Sequence, residues 1–85
     1  MIPPFKSGQI ISSDSGCFLW PSNDHDVDAI PEVYTPGELV LVTDVLHSLA
    51  MDSDEWQVTM LIHGQLCYLI DHSERWHKQW KVAVQ

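Results

Sequence analysis

Basic residues are scarce in this sequence, which has four Lys and Arg against twelve Asp and Glu and a formal net charge of −8. Positions 1–74 contain all twelve acidic residues and one basic residue, Lys6, so they carry a net charge of −11. The other three basic residues, Arg75, Lys78 and Lys81, lie in the last eleven positions. Proteins that bind DNA or RNA concentrate Lys and Arg on one face. The sequence therefore predicts no nucleic-acid partner.

Long apolar runs are also absent. The longest uninterrupted run covers positions 66–70, whereas a helix that spans a membrane needs about 20 apolar residues. The first residues contain one lysine and no apolar stretch of signal-peptide length. We therefore expect a protein that is made in the cytosol and has no membrane partner.

The sequence has only two cysteines, Cys17 and Cys67, and both lie among apolar residues. This setting predicts buried, reduced thiols, because a free cysteine packs like a small apolar side chain. Cys67, His72 and His77 could share a zinc ion, but neither a CxxC nor an HxxxH spacing is present. No nucleophile–base signature or phosphate-binding loop accompanies them. We predict no catalytic residue, no metal site and no cofactor.

Alternation of side-chain type is the clearest local pattern. From position 56 to position 63 a large apolar residue occupies every second place, which is the period of a half-buried strand. Further strands are predicted at 8–12, 16–20, 39–46, 65–70 and 81–84, the first two paired in a hairpin. A short helical or 3₁₀ turn is predicted at 73–80, with Ser73 as its cap. Residues 1–85 thus form one all-β domain of about five to six strands.

The strand predicted at 39–46 has apolar residues on both faces, as in the central strand of a covered sheet. Strict alternation predicts one face with Leu39, Leu41 and Val45 and an opposite face with Val40, Val42 and Leu46.

The turn at His63 and Gly64 has two possible registers. A two-residue loop pairs Ile62 with Gln65, whereas a three-residue loop pairs Ile62 with Leu66. We prefer the three-residue loop, because it keeps every large apolar side chain of the hairpin on one face.

Positions 21–37 are predicted to form a long acidic loop, since they combine three prolines with several Asp and Asn and show no apolar period. Its aspartates alternate like those of a calcium loop, but the sharp-turn and closing positions hold Ala29 and Thr35 instead of Gly and Glu. Long loops inside small domains often carry function. The predicted binding residues are Asp24, Asp26, Asp28 and Tyr34.

Four tryptophans in 85 residues is a high count. Trp20, Trp56, Trp76 and Trp80 all fall at strand or turn positions, so most of them are predicted to anchor the core. A half-exposed tryptophan among them is expected to be an interface residue.

The order of these elements resembles the small SH3-like barrel proteins of tailed phages, especially phages of marine cyanobacteria. The resemblance rests on Pro36-Gly37 before a strand, Trp56 at the start of the next, and Gly64 at the hairpin. It implies an SH3-like barrel and a phage protein that is located in the host cytoplasm or the virion.

We therefore predict a non-catalytic protein–protein interaction module, a minor structural or assembly component of a phage, whose partner is a phage structural protein or a host protein. The alternative is an acidic inhibitor that imitates nucleic acid and occupies a basic site on a host enzyme. The residues of that inhibitor surface are Asp24, Asp26, Asp28, Asp52, Asp54 and Glu55.

Overall fold

Seven strands and one helix form the computed structural model, which describes residues 2–21, 30–47 and 54–84. In chain order the elements are β1 Ile10–Ser13, β2 Cys17–Pro21, β3 Glu32–Tyr34, β4 Val40–His47, β5 Glu55–Ile62, β6 Gln65–His72, α1 Ser73–Gln79 and β7 Trp80–Val84.

The strands form a single antiparallel sheet in the order β3-β2-β6-β5-β4-β1-β7, curled into a half-barrel. Its two edge strands approach each other through side chains, since the rings of Tyr34 in β3 and Trp80 in β7 lie 4.8 Å apart. This architecture confirms the predicted small all-β, barrel-like fold with one short helix. The sheet has one strand more than expected, because residues 32–34 of the predicted acidic loop pair with β2 as strand β3.

The core lies on the concave side of the sheet. The indole of Trp76, which α1 supplies, is fully buried there and contacts the rings of Phe5 and Trp80. The buried apolar side chains are Phe5, Ile11, Leu19, Tyr34, Val40, Val42, Trp56, Val58, Met60, Ile62, Cys67, Trp76 and Trp80.

The predicted hairpin between the first two strands is wrong. β1 pairs with β4 and β7, whereas β2 pairs with β3 and β6. This pairing gives both β1 and β2 a neighbouring strand on each edge. More of their backbone N–H and C=O groups therefore form hydrogen bonds than in an isolated hairpin.

Strand β4 departs from strict alternation at Thr43. The register with β5 shifts between Val42 and Asp44, which is the signature of a β-bulge. The extra residue moves Val45 to the core side and leaves Leu46 exposed. The predicted faces of this strand therefore hold only as far as Val42.

The β5–β6 hairpin has a two-residue turn, so the preferred three-residue loop is wrong. Ile62 pairs with Gln65, and the turn residues His63 and Gly64 have φ angles of 52° and 75°. Positive φ at both positions is a type I′ turn, whose twist matches that of the flanking strands. As a result β6 points Cys67 into the core and Leu66 outward.

Helix α1 begins after His72, whose side chain makes no capping hydrogen bond. Ser73 is therefore not the cap; its hydroxyl donates to Asp54 Oδ2 at 2.6 Å. No helix in the described ranges has the length and apolar character needed to cross a membrane.

Candidate functional site

Three of the four predicted binding residues, Asp24, Asp26 and Asp28, lie outside the described residues. The fourth, Tyr34, is only 1% exposed and belongs to the core. Its hydroxyl accepts a hydrogen bond from the Ser13 backbone N–H at 2.7 Å and donates one to the Glu38 carbonyl at 2.6 Å. Burial raises the pKa of this phenol above 10.0. The side chain of Tyr34 holds three segments of the barrel together and is almost completely covered by them.

Several exposed apolar side chains of the described residues lie together on the convex side of the sheet. They follow strands β3, β2, β6, β5 and β4, where Phe18 pairs with Val33 and Leu61 pairs with both Leu66 and Leu41. We define the outer apolar face as Phe18, Trp20, Val33, Leu41, Leu61, Leu66 and Ile70, all of which are exposed.

Trp20 lies on β2, next to β6, the middle strand of the outer apolar face. It is 45% exposed and lies opposite Tyr68 in the β2–β6 pairing. Trp56, Trp76 and Trp80 are all buried, as predicted for core anchors. Trp20 is thus the half-exposed tryptophan that the sequence analysis expected at an interface.

The outer apolar face has an uncharged centre and a charged border. Its polar neighbours on β5 and β6 are Gln57, Thr59 and Tyr68, which carry no charge at neutral pH. Asp44, which pairs with Thr59, borders one side, and the Glu55–His72 pair borders one end. An apolar centre with a charged rim is the usual anatomy of a protein–protein interface.

A shallow groove continues the outer apolar face at the far end of β2 and β3. Its volume is about 330 Å³ and its lining is Gly16, Cys17, Phe18, Val33, Tyr34, Thr35 and Pro36. Partial burial raises the pKa of the Cys17 thiol above its usual 9.0, so the thiolate needed for reactivity is disfavoured. The groove is therefore suited to apolar contact rather than to thiol chemistry.

The tip of the β5–β6 hairpin is held to the rest of the barrel by His63. Its Nδ1 lies 2.9 Å from Glu32 Oε1 and its Nε2 lies 2.9 Å from Glu38 Oε2. An ionised carboxylate only accepts hydrogen bonds, so the doubly protonated imidazolium satisfies both contacts. The hydrogen bond that His63 donates to Glu32 is the main cause that raises the pKa of His63 above 6.5, and Glu38 adds to it.

Stability should therefore fall as the pH rises from 6.5 through the higher pKa of folded His63, because the unfolded chain loses that proton first. The His63→Asn variant should lack this pH-dependent loss of stability, since asparagine tolerates the positive φ of the turn but does not titrate. Thermal melts of both proteins over a pH series measure the effect. Because all other titrating groups are shared, parallel pH profiles for the two proteins would contradict this role of His63.

Chemistry-bearing side chains do not converge elsewhere in the described ranges. No group of three or more His, Cys, Asp and Glu there is placed to hold a metal ion. Cys17 and Cys67 are both free, and Cys67 is fully buried. The outer apolar face is thus the strongest candidate functional surface.

No protein-family model matches this chain, and no curated protein or solved structure is significantly similar to it. The phage resemblance stays a prediction.

Proposed function

We propose that this protein is a non-catalytic protein–protein interaction module whose contact surface is the outer apolar face. The observation that carries the proposal is the exposure of Phe18 and Trp20 on an apolar surface whose polar neighbours on β5 and β6 are uncharged. Soluble monomers rarely expose a contiguous apolar patch of more than a few hundred Å² unless it binds something. Aromatic side chains at the centre of a patch are also the residues that most often dominate binding energy.

We further propose, from the resemblance described above, that the module is a minor structural or assembly component of a phage particle. An assembly role suits a small domain that offers a broad contact surface. The groove at the end of β2 and β3 extends that surface beyond the sheet and gives room for an apolar side chain of a partner.

The ion pairs of the described residues lie outside the inhibitor surface defined above, of which the structure describes only Asp54 and Glu55, but they reduce the number of other carboxylates available to a basic enzyme site. Such an inhibitor needs carboxylates that are free to meet a basic enzyme site. Instead, Glu32 and Glu38 contact His63, while the Asp14 carboxylate lies 3.6 Å from Lys81 and the Glu74 carboxylate 3.1 Å from Lys78. At least four of the eight acidic residues in the described ranges therefore already contact a basic or histidine side chain.

Incorporation into particles tests the proposal. The double variant Phe18→Thr/Ile70→Thr removes two outer side chains and keeps the β-branched character that strands favour. We expect it to fold but to be at least about tenfold depleted from purified particles, as quantified by mass spectrometry against an internal capsid standard. The control Ile2→Thr changes an isoleucine in the N-terminal arm that is even more exposed than Ile70, and this variant should be incorporated like the wild type.

Two results would overturn the proposal in different ways. Absence of the wild-type protein from particles would remove the assembly role. Normal incorporation of the double variant would show that the outer apolar face is not the contact surface.

A further inference from the structure

We propose that the outer apolar face binds a second copy of the same chain, so that the protein forms a two-fold symmetric dimer. This inference rests on the proposed function in one respect, the use of that face as a contact surface. It adds the identity of the partner that binds the outer apolar face, namely a second copy of the chain.

The exposed area is sufficient for a dimer. The exposed fractions of the seven side chains run from 37% at Leu41 to 60% at Phe18. Together they leave roughly 600 Å² of apolar surface per molecule, so two copies would bury about 1,200 Å² in total, at the lower bound of stable interfaces. The uncharged neighbours Gln57, Thr59 and Tyr68 add to this area.

The charge distribution favours a second copy over a charged partner. Each chain carries a net charge of −8, so two copies repel each other wherever their carboxylates meet. Among the described residues, the centre of the outer apolar face offers a surface on which two copies can touch without opposing carboxylates. A basic partner would gain nothing there, because electrostatic complementarity requires charge on both sides. The complement of an uncharged apolar face is another such face, and a second copy always supplies one.

The shape of the sheet also allows self-association. The outside of a barrel sheet is saddle-shaped, convex across the strands and concave along them, because of the strand twist. Two such saddles fit when their strands cross at a large angle, as in orthogonal sheet packing. With the two-fold axis near the Trp20–Tyr68 pair, the two Trp20 indoles lie side by side at the centre of the interface.

Sedimentation equilibrium over a concentration series tests the proposal directly. We expect the wild-type protein to dimerise with a dissociation constant on the order of micromolar. The Trp20→Thr variant should weaken the dimer at least about tenfold, and Ile2→Thr should leave it unchanged. Added salt should strengthen the wild-type dimer, because it screens repulsion between two acidic chains. Tryptophan emission should shift to shorter wavelength as the dimer forms, since Trp20 is the tryptophan with exposure to lose.

The failure of this inference can be distinguished from the failure of the proposed function. A wild-type protein that stays monomeric at all concentrations and salt levels overturns the dimer. If Phe18→Thr/Ile70→Thr is then still depleted from particles, the face binds a different protein and the proposed function stands. A dimer that persists unchanged in Trp20→Thr overturns the inference as well, because its contacts lie elsewhere on the molecule.

Discussion

The Trp76→Ala variant should lose about 3–5 kcal/mol of unfolding free energy, the usual range for removal of a fully buried large aromatic side chain. Trp76 is completely buried, meets the ring of Phe5 edge-on at 6.0 Å and lies 5.9 Å from the ring of Trp80. An 85-residue domain is typically stable by about 4–13 kcal/mol in total. The substitution should therefore remove a large share of the stability of the domain.

Trp20→Ala is the matched control, because it makes the same chemical change at a half-exposed tryptophan. It should cost much less stability when measured by urea denaturation at concentrations too low for self-association. Trp76→Phe should fall between the two, since it keeps a ring but leaves the Trp56 carbonyl without the indole N–H that donates to it at 3.1 Å. Equal denaturation midpoints for Trp76→Ala and Trp20→Ala would contradict the central position of Trp76 in the core.

The Tyr34→Phe variant should lose about 2–3 kcal/mol although it removes a single oxygen atom. The phenylalanine ring can keep its contact with Trp80, so the loss comes from hydrogen bonding. Without the hydroxyl, the backbone N–H of buried Ser13 and the carbonyl of Glu38 lose their partner inside the protein. Leaving such groups unsatisfied costs more than a typical hydrogen bond contributes. Chemical denaturation followed by circular dichroism measures the change.

The matched control is Tyr68→Phe, which makes the same change on the outer side of the sheet. It should alter stability by less than about 0.5 kcal/mol, as substitutions at the surface usually do. Tyr34→Phe should also leave dimerisation intact at temperatures where it is folded, because Tyr34 acts inside the barrel. Weakened self-association in a fully folded Tyr34→Phe protein would instead show that Tyr34 contributes to the binding surface.

The alternation of apolar residues in the sequence was sufficient to predict the fold class. The two-residue period over 56–63 arises whenever one side of a strand is buried, whichever strands lie beside it. The register of the next strand was not predictable by the same argument. Placing every large side chain inside assumes that the protein hides them all, whereas this hairpin leaves Leu66 and Ile70 exposed. The bulge at Thr43 and the three-residue strand β3 have no local signature, since both are set by pairing with distant strands.

The candidate site was missed for a related reason. The segment Cys-Phe-Leu-Trp at 17–20 is apolar on both faces, the same signal that was read as a covered strand at 39–46. In the sheet, Leu19 is buried while Phe18 and Trp20 face outward without a covering layer. The His63 contacts were equally invisible, because Glu32 and Glu38 are 31 and 25 residues away in sequence. The signal that pointed toward this face was the high count of tryptophans, of which a half-exposed one was predicted to lie at an interface.

The strand order also sets the timing of folding during synthesis. β1 emerges from the ribosome before the other six strands, yet one of its two neighbours is β7, about seventy residues later in the chain. At about 5–20 residues per second, the N-terminal strand waits roughly 4–14 s for that neighbour. Until then Ile11 lacks the cover that Trp76 and Trp80 bring with the end of the chain. During synthesis the edge of β1 that later pairs with β7 is therefore unpaired, and it can pair wrongly with another chain before the folded outer apolar face has formed.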